Sequence, residues 1–141
     1  MLEYREILAR TQGIDSGSVT IPQAGDLSQW QTIHAHQFGN VYEWAGQLRT
    51  TGIAKDGAPF AAHGDVESFL HVQVPDVASL PWGGMDRDEF VGAAARSLAV
   101  LNAAHPFREG NGRSLRLLLD QPTEPSIWWI DDSRASRDSV E

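Results

Sequence analysis

The stretch HPFREGNGR, His105 to Arg113, gathers an imidazole, a carboxylate, two glycines, an amide and two guanidiniums at one turn. Packing alone gives no reason for so many chemical groups there. An apolar helical pattern ends just before the stretch and another begins inside it. Upstream, Asp86 opens a helix with Glu89 three residues on, an Asp version of the reciprocal N-terminal capping box. Phe90, Ala94, Leu98 and Leu101 follow at helical spacing, and the alanines of this run admit a close neighbouring helix. Downstream, RSLRLLLDQ forms a second apolar helix that begins near Asn111 and halts before Pro122. The stretch is therefore the joint between two core helices, and the domain reads as mainly α.

Working outward, Leu2 to Arg10 reads as a short helix with Tyr4, Ile7 and Leu8 on one side, followed by the loop TQGIDSGSVTIPQAG. Asp26 caps a helix carrying Leu27, Trp30, Ile33 and Phe38, stopped by Gly39-Asn40. Residues Gln47 to Ala62 read as a hairpin around Asp56-Gly57, a strong tight-turn signal. GDVESFLHVQV predicts another helix, and Pro75 with LPWGG predicts the next loop. His34 and His36 are two apart and His63 and His71 eight apart, poor spacings for a shared metal, and they read as scattered surface histidines. Trp128 and Trp129 read as cover for the core.

The chain has 141 residues, enough for one domain with a modest core, and 41% of them are hydrophobic. A net charge of −8 opposes non-specific nucleic-acid binding. The lack of cysteine excludes disulfides and thiolate metal sites. No apolar run approaches the roughly 20 residues of a membrane span, and the N-terminus MLEYREILAR has no apolar signal segment. The expectation is a cytoplasmic protein bound neither to membrane nor to nucleic acid.

The chemistry of the joint follows from its parts. Gly110 and Gly112 permit backbone conformations that other residues resist, and glycines at a helix N-terminus let several N–H groups face one anion. Arg113 and Arg116, three apart on the new helix, can reach the same side, and paired guanidiniums suit phosphate oxygens. Glu109 beside such a nest would repel a phosphate unless a divalent cation lay between them. Mg²⁺ fits, because it takes one or two carboxylates plus phosphate oxygens. Histidine is the side chain that titrates near neutral pH, so His105 can act as general base. Taken singly, each part has a plainer reading as a cap, a turn or a solvated charge. Their joint order points to transfer of a phosphorus group to an acceptor.

The string HPFREGNGRSLR resembles the signature of Fic-domain proteins, H-P-F-x-[D/E]-G-N-G-R-x-x-R, at every defined position, and FGNVYEWAGQLRT resembles the segment leading to the family's flap. The similarity covers roughly Leu27 to Leu119. It implies a single Fic domain over 1–141, its core about 27–119, and a Fic-type helical bundle with a β-hairpin flap over the active site. The tail 122–141 resembles the family's post-motif region cut short.

The resemblance also implies roles. The activity would be that of a protein adenylyltransferase moving AMP from ATP to a Tyr, Thr or Ser hydroxyl. His105 would take the hydroxyl proton, Phe107 would anchor the loop, and Glu109 would hold Mg²⁺ on the phosphates. Gly110, Asn111 and Gly112 would form the anion hole, with Arg113 and Arg116 on the outer phosphates. Phe60 in the flap would clamp the target. A related branch, resembling Doc, has Lys where Gly112 stands and transfers the γ-phosphate, so Gly112 favours AMP transfer. The family's inhibitory string [S/T]-x-x-x-E-[G/N] is not found in the 141 residues, which implies a toxin-like member restrained by a small antitoxin that supplies a Glu to Arg116. Type II topoisomerases are frequent targets of such toxins. Two alternatives stand beside this one: a non-catalytic Fic-like module that binds nucleotide or a partner, and a transferase using another nucleotide donor.

Overall fold

In the computed structural model, which describes residues 2–50, 54–55, 58–59 and 63–130, the chain runs α1 (Leu2–Asp15), α2 (Leu27–Phe38), β1 (Ala54–Lys55), β2 (Ala58–Pro59), α3 (His63–Ala78), α4 (Arg87–Ala104) and α5 (Asn111–Asp120). A 3-10 turn at Trp82–Gly84 joins α3 to α4. The strands are antiparallel, with Ala54 opposite Pro59 and Lys55 opposite Ala58. Asp56 and Gly57, read as the turn of the hairpin, and Phe60 lie outside the described residues.

Two helix starts follow their sequence signals. Asp26 accepts the Gln29 N–H at 3.2 Å and begins α2. Asp86 accepts the Glu89 N–H at 2.8 Å while the Glu89 carboxylate accepts the Asp86 N–H at 3.1 Å, so the capping box at α4 is complete.

Three elements depart from the sequence reading. α1 runs through to Asp15, beyond the expected end at Arg10, with the Thr11 hydroxyl donating back to the Ile7 carbonyl at 2.8 Å. α3 continues past Pro75, where a loop was expected. Val66, Leu70, Val74 and Val77 form one buried stripe across the proline, and the Ser79 N–H still donates to the Pro75 carbonyl at 3.0 Å. Burial of that stripe outweighs the lost hydrogen bond and ring clash of an internal proline, a penalty of about 3 kcal/mol. Trp129, expected to cover the core, is 76% exposed, and Trp128 alone of the pair packs inward.

The core lies where α2, α4 and α5 meet, with α3 closing it against α4. Trp30 of α2 is fully buried and its indole N–H donates to the Ser114 hydroxyl of α5 at 2.8 Å. Trp82 is also buried, donates to the Val77 carbonyl at 2.9 Å, and meets the Phe90 ring edge-on at 5.6 Å. This packing fixes the end of α4 and the start of α5, and hence the bend between them.

Candidate active site

α4 ends at Ala104, and His105 turns the chain with φ 46° and ψ 63°. Among the described residues it alone has positive φ without being glycine. That left-handed conformation costs about 1–3 kcal/mol for an ordinary side chain and persists only where surroundings enforce it. Arg49 does so. Its buried guanidinium donates from Nε to the His105 carbonyl at 2.7 Å and from Nη2 to the Ala104 carbonyl at 3.1 Å. Its own backbone N–H donates to the Pro106 carbonyl at 2.8 Å.

Phe107 is wholly buried, edge-on to Trp30 at 5.7 Å and stacked on the His34 ring at 3.9 Å. The Asn111 side chain grips the Phe107 backbone from both sides: Oδ1 accepts its N–H at 2.8 Å and Nδ2 donates to its carbonyl at 2.7 Å. Asn111 thus braces the loop with its amide.

His34 holds the next carbonyl. The Gly46 N–H donates to Nδ1 at 2.9 Å, so the ring proton sits on Nε2, which donates to the Glu109 carbonyl at 2.8 Å. Burial pushes the His34 pKa from 6.5 down to about 4, against a smaller upward pull from that carbonyl. The ring is therefore neutral at working pH. The reading of His34 as a surface histidine is corrected: it is completely buried.

Gly110 starts α5 at φ 81°, and a Cβ there would come within 2.5 Å of the Phe38 ring. Only glycine fits both the conformation and the space. The N-cap Gly110 makes no side-chain cap to α5, and a helix N-terminus favours an anion.

The bend opens on a cavity of about 440 Å³ lined by His105, Glu109, Gly110, Asn111, Gly112 and Arg113, with Phe38, Tyr42 and Arg108 at its edge. The Tyr42 hydroxyl donates to Glu109 Oε2 at 2.6 Å, and Tyr42 stacks on Trp44 at 4.4 Å. Arg116 does not line this cavity. Its Nη1 pairs with Asp120 at 2.6 Å and with Asp15 at 3.4 Å, and it borders a neighbouring cavity of about 430 Å³ between α1, α4 and α5. Gly112 and Arg113 border both cavities.

Among the described residues no three His, Cys, Asp or Glu side chains gather as a metal site. Glu109 is an exposed carboxylate beside an uncapped helix N-terminus, a donor set that suits Mg²⁺ held by one side chain, phosphate oxygens and water.

Three residues that position this site escape a reading from sequence: His34, Arg49 and Tyr42. His34 alone carried a usable signal, since it lies four residues from both Trp30 and Phe38 and so shares their buried face.

The structure is a mainly helical domain with a glycine-lined bend between its two central helices, where an imidazole, a carboxylate and a guanidinium line one cavity. Residues 25–122 match the Fic/DOC family, and the chain belongs to that family. It is 36% identical over 133 residues to protein adenylyltransferase VbhT of Bartonella schoenbuchensis, covering 94% of this chain and 28% of that protein. It is 31% identical over 117 residues to a protein adenylyltransferase of Bartonella henselae, covering 72% of this chain and 22% of that protein. The chain thus spans less than a third of the length of these two relatives. Among solved structures, the N-terminal Fic domain of a VirB-translocated Bep effector of Bartonella quintana, with bound ADP, superposes with TM-score 0.79 at 25% identity over 96% of this chain and 72% of that one. The N-terminal Fic domain of Bep8 from Bartonella sp. 1-1C does so with TM-score 0.79 at 23% identity, over 95% and 70%. The fold is the Fic fold. No helix among the described residues is long and apolar enough to cross a membrane.

Proposed function

We propose that this chain is a protein adenylyltransferase domain that moves AMP from ATP to a hydroxyl side chain of a target protein. One observation carries the reading: a single cavity of about 440 Å³ is lined by an imidazole, a carboxylate, the N-terminus of α5 and Arg113. Two relatives named protein adenylyltransferase and a structural neighbour holding ADP support it.

In this reading the target hydroxyl oxygen attacks the α-phosphorus, the bond to the β-phosphate bridging oxygen breaks, pyrophosphate leaves, and His105 takes the hydroxyl proton. The N–H groups at the start of α5 and the Arg113 guanidinium hold phosphate oxygens. Glu109, steadied by Tyr42, would hold Mg²⁺, which when bound would offset phosphate charge. Arg116 would turn from its carboxylate partners to the outer phosphates. Phe60 is proposed as the target clamp.

The finer role is toxin-like, with an antitoxin Glu occupying Arg116. This is supported by Arg116 already donating to the carboxylates of Asp15 and Asp120. A type II topoisomerase is the candidate target, taken from the family resemblance alone.

The test is incubation of the protein with lysate, Mg²⁺ and ATP labelled at either the α- or the γ-phosphate. Transfer of α-label, a gain of one AMP on a defined side chain by mass spectrometry, and its loss in His105→Ala with nucleotide binding retained are expected. Label arriving only from the γ position would reassign the reaction as phosphorylation, and binding without transfer would make the chain a nucleotide-binding module.

A further inference from the structure

We propose that Arg49 is a positioning residue that holds His105 in its left-handed turn and so aims the imidazole into the cavity. The inference rests on the reading of His105 as proton acceptor.

The last carbonyls of a helix have no partner within it, and they carry the negative end of its dipole. At the end of α4 Arg49 reaches such carbonyls from the segment that leads into the hairpin. The planar guanidinium fork spans two successive acceptors, at 2.7 Å to His105 and 3.1 Å to Ala104. The backbone N–H of the same residue takes the third, Pro106, at 2.8 Å. Three consecutive carbonyls on either side of the turn are thus fixed by one residue.

His105 sits at φ 46°, a conformation uncommon for any residue but glycine, though histidine visits it more than most. Such a turn relaxes when the contacts that restrain it go. With the guanidinium removed, the buried Ala104 carbonyl and the part-buried His105 carbonyl lose a donor, and the simplest relief is rotation of the His105 peptide. Because the Cα–Cβ direction follows φ and ψ, that rotation swings the imidazole away from the cavity. Glu109 and the start of α5 are held separately, by His34 and by the Asn111 amide. The phosphate grip should therefore survive a change that spoils the base. A plain cap on α4 would behave differently: its loss would lower the melting temperature and leave turnover per folded molecule intact.

The experiment measures transfer from α-labelled ATP in lysate as a function of ATP concentration, together with the calorimetric Kd for AMPPNP, using the full chain. Arg49→Met removes the fork. Arg49→Lys keeps the buried charge with one donor head that cannot span both carbonyls, and it decides the matter if the Met variant does not fold. Val77→Ala, a core truncation far from the bend, supplies a destabilised reference. A misplacement of about 1 Å can cost on the order of 100-fold in rate. Apparent kcat should therefore fall by about 100-fold in Arg49→Met and about 10-fold in Arg49→Lys. KM for ATP and Kd for AMPPNP should stay within about twofold, and Val77→Ala should keep its kcat. Folded Arg49 variants with unchanged kcat, or an equal loss in Val77→Ala, overturn the inference while an inactive His105→Ala leaves the reaction standing. An active His105→Ala overturns the base assignment, and the inference with it.

Discussion

Lowering the pH from 7.5 to 5 should weaken the fold by about 2 kcal/mol through His34 alone, from a ring held near pKa 4 in the fold and near 6.5 in the unfolded chain. The sign follows from the direction of the shift. Between those values the unfolded state binds the proton and the folded state does not, so stability is full above pH 6.5 and falls as the pH drops toward 4. At pH 5 the unfolded ring is almost wholly protonated and the folded ring about one-tenth so, which linkage converts to that figure. The cause is burial of the ring; Nδ1 also accepts from Gly46, so a second ring proton would face that N–H donor to donor. Urea unfolding followed by tryptophan fluorescence at pH 7.5, 6 and 5 reads the effect, with His34→Gln as reference. The Gln variant starts lower by about 1–3 kcal/mol. Between pH 7.5 and 5 it should then lose about 2 kcal/mol less than the parent protein. His36, whose pKa is also lowered by burial and by Arg10, titrates in both proteins and cancels in the difference. Equal pH slopes in the two proteins would refute the reasoning.

Other outcomes are equally specific. Gly110→Ala puts a methyl 2.5 Å from the Phe38 ring at φ 81°, and should cost at least about 2 kcal/mol in chemical denaturation; a loss under half of that would mean the bend relaxes freely. Arg113→Ala should weaken AMPPNP binding by about tenfold or more in calorimetry, from a lost charge-assisted contact of about 1.5–3 kcal/mol. Unchanged affinity would remove Arg113 from the phosphate grip. Glu109→Gln should raise the Mg²⁺ concentration needed for half-maximal transfer, while Tyr42→Phe, which loses the 2.6 Å bond to Glu109, should raise it less. Identical Mg²⁺ titrations for all three proteins would count against Glu109 as the metal carboxylate.

The elements that local chemistry dictates were legible in the sequence. The Asp86–Glu89 capping box, the Asp26 cap and the paired apolar helices flanking the glycine-rich bend all stand where their signals put them. His105, Glu109, Gly110, Asn111, Gly112 and Arg113 share one cavity because they share one turn. What the sequence hid depends on partners far along the chain. Pro75 sits inside a helix because Val77 has a core to enter, and a propensity rule for proline does not see that core. Arg49 reads as an ordinary charged residue before a hairpin until the end of α4, more than fifty positions on, is found against it. Arg116 follows Arg113 at helical spacing, yet it pairs with Asp120 four residues on and with Asp15 of α1, and no local pattern announces the second carboxylate.

Gly112 and Arg113 form a party wall between two chambers, one polar and one where Leu98, Leu115, Leu117 and Ile130 stand beside the Asp15–Arg116 pair. An occupant of the second chamber that displaces the Arg113 guanidinium would alter how the other side grips an anion. Thermodynamic reciprocity returns the favour by an equal factor, so a nucleotide at the bend must tighten or loosen whatever lodges behind it to the same degree.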